Sequence, residues 1–139
     1  FEQERAHSLI GFCVMGGVFS EGIDLTEDKL IGAMIIGTGL PQVCLERELL
    51  KYYFDRKHLN GFDYAYLYPG MNKVLQSAGR VIRTDQDRGV ITLLDDRFMD
   101  RQCQEVFPRE WNDFQICNSE NIEEKIAKFW KAEEQTDTK

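Results

Sequence analysis

Residues 30–39 read LIGAMIIGTG, an apolar run that is closed by the turn Gly39-Leu40-Pro41. Two further apolar runs are residues 9–15, which end at a glycine pair, and residues 89–94, which end at Asp95-Asp96. Short apolar runs bounded by turn residues are typical of strands that are covered on both faces. The sequence therefore predicts three short, buried strands.

The segment between the second and third runs has helical spacing. Apolar residues from residue 41 onward recur at intervals that predict a helix of about four turns. Asn60-Gly61 marks a turn, and Asp63 is placed to cap the next helix. Residues 64–83 are predicted to be largely helical, with a break near Pro69-Gly70.

The rest of the chain predicts two more helices. A short helix is predicted for residues 97–106, Pro108 is a break, and an amphipathic helix is predicted for residues 122–131. Residues 133–139 are predicted to be a frayed tail. Because strands and helices alternate and no linker is visible, residues 1–139 are predicted to be a single α/β domain with a mainly parallel sheet.

Composition limits the class of protein. The 139 residues include 42% hydrophobic and 29% charged residues, as in a globular domain, and no apolar run approaches the roughly 20 residues of a membrane span. The net charge of -7 argues against a protein that coats nucleic acid by bulk charge, although a local basic patch is compatible with it. The chain begins with Phe1, so we expect it to be cut from a longer protein.

The cysteines and histidines predict no metal site. The four cysteines form no CxxC pair, and we expect them to be reduced thiols that lie mostly in the core. His7 and His58 stand alone in the sequence, without an evident metal partner.

Residues 76–83 read QSAGRVIR and place Gly79, Arg80 and Arg83 three, four and seven positions after Gln76. On a helix these positions lie near one another, so two guanidinium groups could converge on phosphate oxygens. The alternative is an ordinary amphipathic helix with solvated arginines. Asp85, Asp87 and Arg88 follow as a turn, for which a solvated turn without a direct role remains an equal alternative.

Residues 16–25 read GGVFSEGIDL and leave the first predicted strand at its carboxyl end, where parallel α/β sheets bind ligands. The glycines allow close backbone approach, Ser20 offers a hydroxyl, and Glu21 and Asp24 offer acceptors for ribose hydroxyls or water. The loop lacks the Gly-Lys-Ser/Thr ending of a Walker A loop, and Val18 excludes the GxSxG elbow.

Tyrosines 64, 66 and 68 alternate before Pro69. Alternating aromatic residues can stack on bases, as in proteins that bind single strands. Packing in the core or between domains is the favoured alternative.

Taken in order, GGVFSEGIDL, the Gly39-Leu40-Pro41 turn, QSAGRVIR and DRGVITLLD resemble the second motor domain of the DinG/XPD-like branch of superfamily 2 DNA helicases. The resemblance covers about residues 9–111. It implies a RecA-like (P-loop NTPase-type) fold, a mainly parallel sheet flanked by helices, of which this chain would be an incomplete fragment. Such a domain completes an ATP site that is formed between two motor domains.

The resemblance also implies roles for individual residues. The 16–25 loop corresponds to motif V, which couples the nucleotide state to the DNA strand, and the 76–83 segment corresponds to motif VI. ATP or ribose binding and coupling would fall to Glu21, Gly22, Asp24 and Gly79, and DNA binding to Phe19 and Ser20. The catalytic residues would be the arginine fingers Arg80 and Arg83, with Gln76 orienting the nucleotide or its attacking water.

The implied cofactor is ATP with Mg²⁺, bound mainly by the first motor domain of the same parent chain. That domain holds an iron–sulfur cluster in many members, and none is expected in these residues. The implied partner is single-stranded or forked DNA, in DNA repair, within a bacterial cytoplasm or a nucleus. The fragment alone is expected to be inactive, and its incomplete sheet could pair at an exposed edge with another chain.

Two alternatives remain open at this point. One is a non-catalytic module that binds nucleotide or nucleic acid through the same arginines. The other is part of a helicase–nuclease fusion, because some relatives carry an exonuclease domain.

Overall fold

The computed structural model describes residues 7–17, 30–84 and 86–136, with side chains described as far as residue 132. The chain divides into two compact units, Phe1–Phe107 and Pro108–Lys139. The first unit contains the sheet and the candidate site. The second contains a short 3-10 helix and the last α-helix.

The sheet of the first unit has two parallel strands, β1 (Gly32–Ile36) and β2 (Val90–Leu94). Gly32 lies opposite Val90, and Ile36 lies opposite Leu94. Both strands occur where the apolar runs predict them, and helices lie between them in the chain. The α/β class and the parallel pairing are therefore confirmed.

The predicted first strand, residues 9–15, is wrong. Its backbone is irregular, and its apolar side chains are exposed, with Ile10 at 80% and Phe12 at 96% of full exposure. A strand needs a partner for its backbone N–H and C=O groups, and no described strand pairs with this segment. The segment ends in a turn at Met15-Gly16, which the Gly17 N–H closes on the Val14 carbonyl at 3.0 Å.

Burial of the sheet on both faces is also wrong within the described residues. Ile35 is 4% exposed, and helix α2 (Tyr68–Ala78) contacts β1. The alternate residues Met34 and Ile36 are 61% and 68% exposed, and Leu94, which pairs with Ile36, is 52% exposed. Because successive side chains of a strand point to opposite faces, one face of the sheet is packed and the other is open.

Helix α1 (Leu45–Asp55) confirms the predicted helix, but its 11 residues make about three turns rather than four. No residue of α1 is buried. Two polar contacts attach it to the following segment: the Arg47 guanidinium donates to the Ala65 carbonyl, and the Tyr66 hydroxyl donates to Glu48 Oε1, each at 2.6 Å. The second contact raises the pKa of Tyr66 to about 12.

A π-helical turn (Asp63–Leu67) leads into α2 without interruption. The Tyr68 N–H donates to the Asp63 carbonyl, five residues back. The predicted break at Pro69 is wrong because Pro69 lies in the first turn of α2, where a missing N–H is tolerated. The predicted Asp63 cap is also wrong: the Phe62 N–H donates to Asn60 Oδ1 at 3.2 Å instead.

The core of the first unit forms around the π-turn and α2. Tyr66 is 4% exposed, and Tyr64 stacks on Phe54 with ring centroids 4.1 Å apart, so packing explains both tyrosines. Of the four cysteines only Cys103 is buried, which corrects the expectation that most lie in the core. The buried apolar residues are Ile35, Ala65, Tyr66, Leu67, Met71, Val74, Ala78, Val81, Phe98 and Cys103.

After β2, a 3-10 helix (Asp96–Met99) and the one-turn α3 (Arg101–Gln104) replace the single helix predicted for residues 97–106. In the second unit, a 3-10 helix (Arg109–Trp111) follows Pro108, and α4 (Ile122–Thr136) confirms the last helix. Because α4 is helical to Thr136, the predicted frayed tail is wrong for residues 133–136. In the part of the chain that the structure describes, no helix has the length and apolarity of a membrane span.

Candidate arginine turn and carboxyl-edge loops

The arginine segment does not form a helix face. Helix α2 ends at Ala78, and the Gly79 N–H donates to the Leu75 carbonyl at 2.8 Å. The Arg80 and Val81 N–H groups then close a tighter turn on residues 77 and 78. Gln76 therefore lies in the last turn of α2, Arg80 lies just after it, and Arg83 lies beyond the helix. The predicted convergence of Gln76 and Arg83 on a single helix face is wrong.

The core anchors the chain on both sides of the helix end. Ala78 is 1% and Val81 is 2% exposed, so the chain turns inward at both residues. Gly79 has an ordinary helical φ of -65°, and it is exposed. A Cβ at Gly79 would lie 3.2 Å from the Leu75 carbonyl oxygen, so a larger residue would crowd the turn slightly. Arg80 and Arg83 thus lie next to a helix end that is packed in the core, and they do not form the polar face of an amphipathic helix.

Asp87 fixes the backbone that carries Arg83. Its side chain is buried, and Oδ2 accepts hydrogen bonds from the N–H groups of Arg83 at 2.9 Å and Thr84 at 2.8 Å. A carboxylate that accepts two N–H groups in a loop gives both a defined position. The sequence left a solvated turn and a direct role open for Asp87, and no local signal distinguishes it from its acidic neighbours. Arg83 itself is exposed and Arg80 is half-buried.

Gly89 joins this turn to the start of β2. A Cβ at Gly89 would collide with Val81 Cγ1 and would lie 2.9 Å from the Ile31 carbonyl oxygen. The Val90 N–H donates to the same carbonyl at 3.0 Å. Only glycine fits between the buried Val81 and the start of the sheet. This close packing holds residues 80–83, the arginine turn, against the strands.

The loops at the carboxyl ends of the strands lie side by side. Gly37 and Gly39 have φ values of 86° and 64°, and the Gly37 N–H donates to the Leu94 carbonyl at 3.3 Å. Asp95 follows β2 and pairs with Arg97 at 2.7 Å, a contact that lowers the pKa of Asp95 to about 2. In parallel α/β sheets this edge is where ligands bind.

Most of the predicted motif V residues lie outside the described residues. These are Phe19, Ser20, Glu21, Gly22 and Asp24. The loop is described only at its beginning, where Gly16 has a φ of 78°. Within the described residues no group of three or more His, Cys, Asp and Glu side chains could hold a metal ion.

The unit is a parallel α/β unit with glycine loops at its carboxyl edge, the edge at which such sheets generally bind ligands. The model of the helicase C-terminal domain family matches residues 1–114, so the chain belongs to that family. The resemblance to the second motor domain of DinG/XPD-like helicases is confirmed.

Three curated relatives show how far the similarity extends. A regulator of telomere elongation helicase 1 homolog from Caenorhabditis briggsae is 32% identical over 136 residues, which are 90% of this chain and 14% of that protein. The ATP-dependent DNA helicase chl-1 from Caenorhabditis elegans is 36% identical over 91 residues, 63% of this chain and 11% of that protein. The ATP-dependent DNA helicase DinG from Photobacterium profundum is 36% identical over 88 residues, which are 62% of this chain and 13% of that protein.

Proposed function

We propose that this chain is the C-terminal motor-domain portion of an ATP-dependent DNA helicase. The family match, the relatives named as ATP-dependent DNA helicases, and the parallel α/β fold support the proposal. The chain spans only 11% to 14% of the length of the three relatives, so ATP would be bound between this RecA-like domain and another motor domain.

In this proposal Arg80 and Arg83 are arginine fingers and Gln76 orients the nucleotide or the attacking water. Hydrolysis spreads negative charge over the oxygens of the transferred phosphoryl group, and a guanidinium stabilises that charge only from a fixed position. The two hydrogen bonds of Asp87 supply such a position for the Arg83 backbone. This is the structural observation that most supports the assignment.

The 16–25 loop would couple this site to DNA. Glu21, Gly22 and Asp24, with Gly79, would meet ATP or its ribose, while Phe19 and Ser20 would contact the strand. The loop starts at Gly16, and the side chain of Lys73 lies near both Gly16 and the carboxyl-edge glycine Gly39. The cofactor would be ATP with Mg²⁺, held mainly by the other motor domain, and the partner would be single-stranded or forked DNA in a bacterial cytoplasm or a nucleus.

The open face and edges of the two-stranded sheet support one further part of the proposal. Met34, Ile36 and Leu94 are exposed, which parallel sheets generally avoid. Another chain or other parts of the parent protein would cover this face, and additional strands would pair with the edges. Edge-strand association of the isolated chain is therefore expected.

The test is DNA-stimulated ATP hydrolysis by the protein that carries this chain. Arg83→Ala should lower kcat by about 10³- to 10⁵-fold with a small change in the KM for ATP. Arg101→Ala is the matched control, because the Arg101 side chain is 89% exposed and pairs with Glu105 on the surface. Unchanged kcat in Arg83→Ala would remove the finger role. A wild-type protein that binds nucleotide but hydrolyses none would instead indicate a non-catalytic binding module.

A further inference from the structure

Lys73 lies on α2 between two glycine loops. Its Cβ would lie 3.6 Å from a Cβ built on Gly39, and its Cε 3.6 Å and Nζ 4.0 Å from one built on Gly16. The side chain therefore runs from the loop after β1 to the turn that begins the 16–25 loop. It links two segments that are far apart in sequence.

The Lys73 ammonium lacks a protein partner in the described ranges. The residue is half-buried, yet the structure gives its ammonium neither a hydrogen bond nor an ion pair there. Taking a charge partly out of water is unfavourable unless an opposite charge or acceptors replace the water. If the side chain served only to pack on Gly16, an uncharged residue such as methionine would avoid that cost.

The neighbouring backbone offers donors as well. Gly16 and Gly39 both have positive φ, at 78° and 64°, and among the residues described neither N–H donates a hydrogen bond to the protein. Backbone N–H groups near a cation can add donors to an anion site. A negatively charged ligand beside Lys73 would replace the water that its ammonium loses.

A buried hydroxyl adjoins the same place. Thr38 is 2% exposed, and its Oγ1 has no hydrogen-bond partner in the described parts of the chain. Its backbone carbonyl packs against Gly70, where a Cβ would approach to 2.7 Å, so α2 touches this loop directly. The close approach holds Lys73, one turn further along α2, beside the loop.

We propose that Lys73, with the backbone of the Gly16 turn and the Gly39 loop, forms a phosphate-binding subsite. The ligand is a phosphate group of the nucleic-acid strand or of the nucleotide, and this choice rests on the proposed function. Lys73 lies one helical turn before Gln76, so the subsite would adjoin motif VI on one side and motif V on the other.

The direct test is NMR with ¹³C-labelled lysine and inorganic pyrophosphate as the probe. The Lys73 Cε resonance, assigned from its loss in Lys73→Arg, should shift on titration, and the Lys128 resonance, from an exposed lysine of α4, should not. Equal shifts at Lys73 and Lys128, or no shift at Lys73, would overturn the subsite whether or not the protein hydrolyses ATP.

The source of the phosphate is tested by affinity. For a strand phosphate, Lys73→Gln should bind a labelled single-stranded oligonucleotide about tenfold more weakly and reduce the slope of log K against log salt by about 0.7, with ATP affinity unchanged. For a nucleotide phosphate, ATP affinity should fall by a similar factor and DNA affinity should not. Either result supports the subsite, provided that Lys128→Gln changes neither affinity. Loss of neither affinity in folded Lys73→Gln protein would refute it.

Discussion

The Asp87 carboxylate holds the arginine turn, so its removal should be costly. Asp87→Ala deletes two hydrogen bonds from backbone N–H groups to a buried carboxylate. Hydrogen bonds to charged groups contribute about 1.5–3 kcal/mol each, so the free energy of unfolding should fall by about 3 kcal/mol at the lower limit. Such a loss is a large part of the roughly 5–15 kcal/mol of an ordinary domain.

The measurement is urea denaturation followed by circular dichroism at neutral pH. With an m-value of about 2 kcal/mol per molar, the midpoint should fall by about 1.5 M. Asp87→Asn keeps one acceptor oxygen without the charge and should lose about half as much. Asp113→Asn, at an exposed aspartate of the second unit, is the charge-matched control. A midpoint for Asp87→Ala within about 0.2 M of wild type would refute the role assigned to these hydrogen bonds.

Two further changes test the packing of the same unit. Gly89→Ala forces a methyl group against Val81 and the Ile31 carbonyl, so denaturation should show a loss of about 1–3 kcal/mol, and a stability equal to wild type would contradict the close packing. Burial raises the pKa of Asp63, whose Oδ1 has no hydrogen-bond partner among the described residues. Ionisation of Asp63 therefore lowers the stability of the folded state as the pH rises through the raised pKa. Asp63→Asn should therefore stabilise the chain at pH 7 and lose that advantage in acid, and a gain that persists at low pH would exclude this cause.

The sequence predicts those elements that depend on local pattern alone. The strands β1 and β2 follow from apolar runs bounded by turn residues, and α1 and α4 follow from helical periodicity. Residues 9–15 have the same kind of apolar run but form no strand, because pairing depends on a partner elsewhere in space. Local pattern cannot supply that partner, nor can it show which face of the sheet is covered.

The sequence indicates which residues are candidates for the site, but it does not indicate how they are arranged in space. The spacing of Gln76, Arg80 and Arg83 marks the segment, but α2 ends at Ala78, and the tighter turn that follows it brings Val81 into the core. The sequence did not reveal the hydrogen bonds of Asp87, and it did not single out Lys73, for a related reason. The role of each residue depends on a contact that no sequence pattern indicates. Asp87 is buried and accepts from the Arg83 N–H, and Lys73 lies near a loop that is distant in sequence.

The π-helical turn before α2 also sets an angle. A π-turn contains one more residue than an α-turn, and each residue of an α-helix advances the chain by about 100°. Deleting one residue within Asp63–Leu67 would let the segment become α-helical and would rotate α2 by about that amount relative to α1. Lys73 would then leave the glycine loops while every residue of α2 kept its helical conformation. The one additional residue of the π-turn thus sets the rotation of α2 about its axis, and this rotation determines the direction in which Lys73 points.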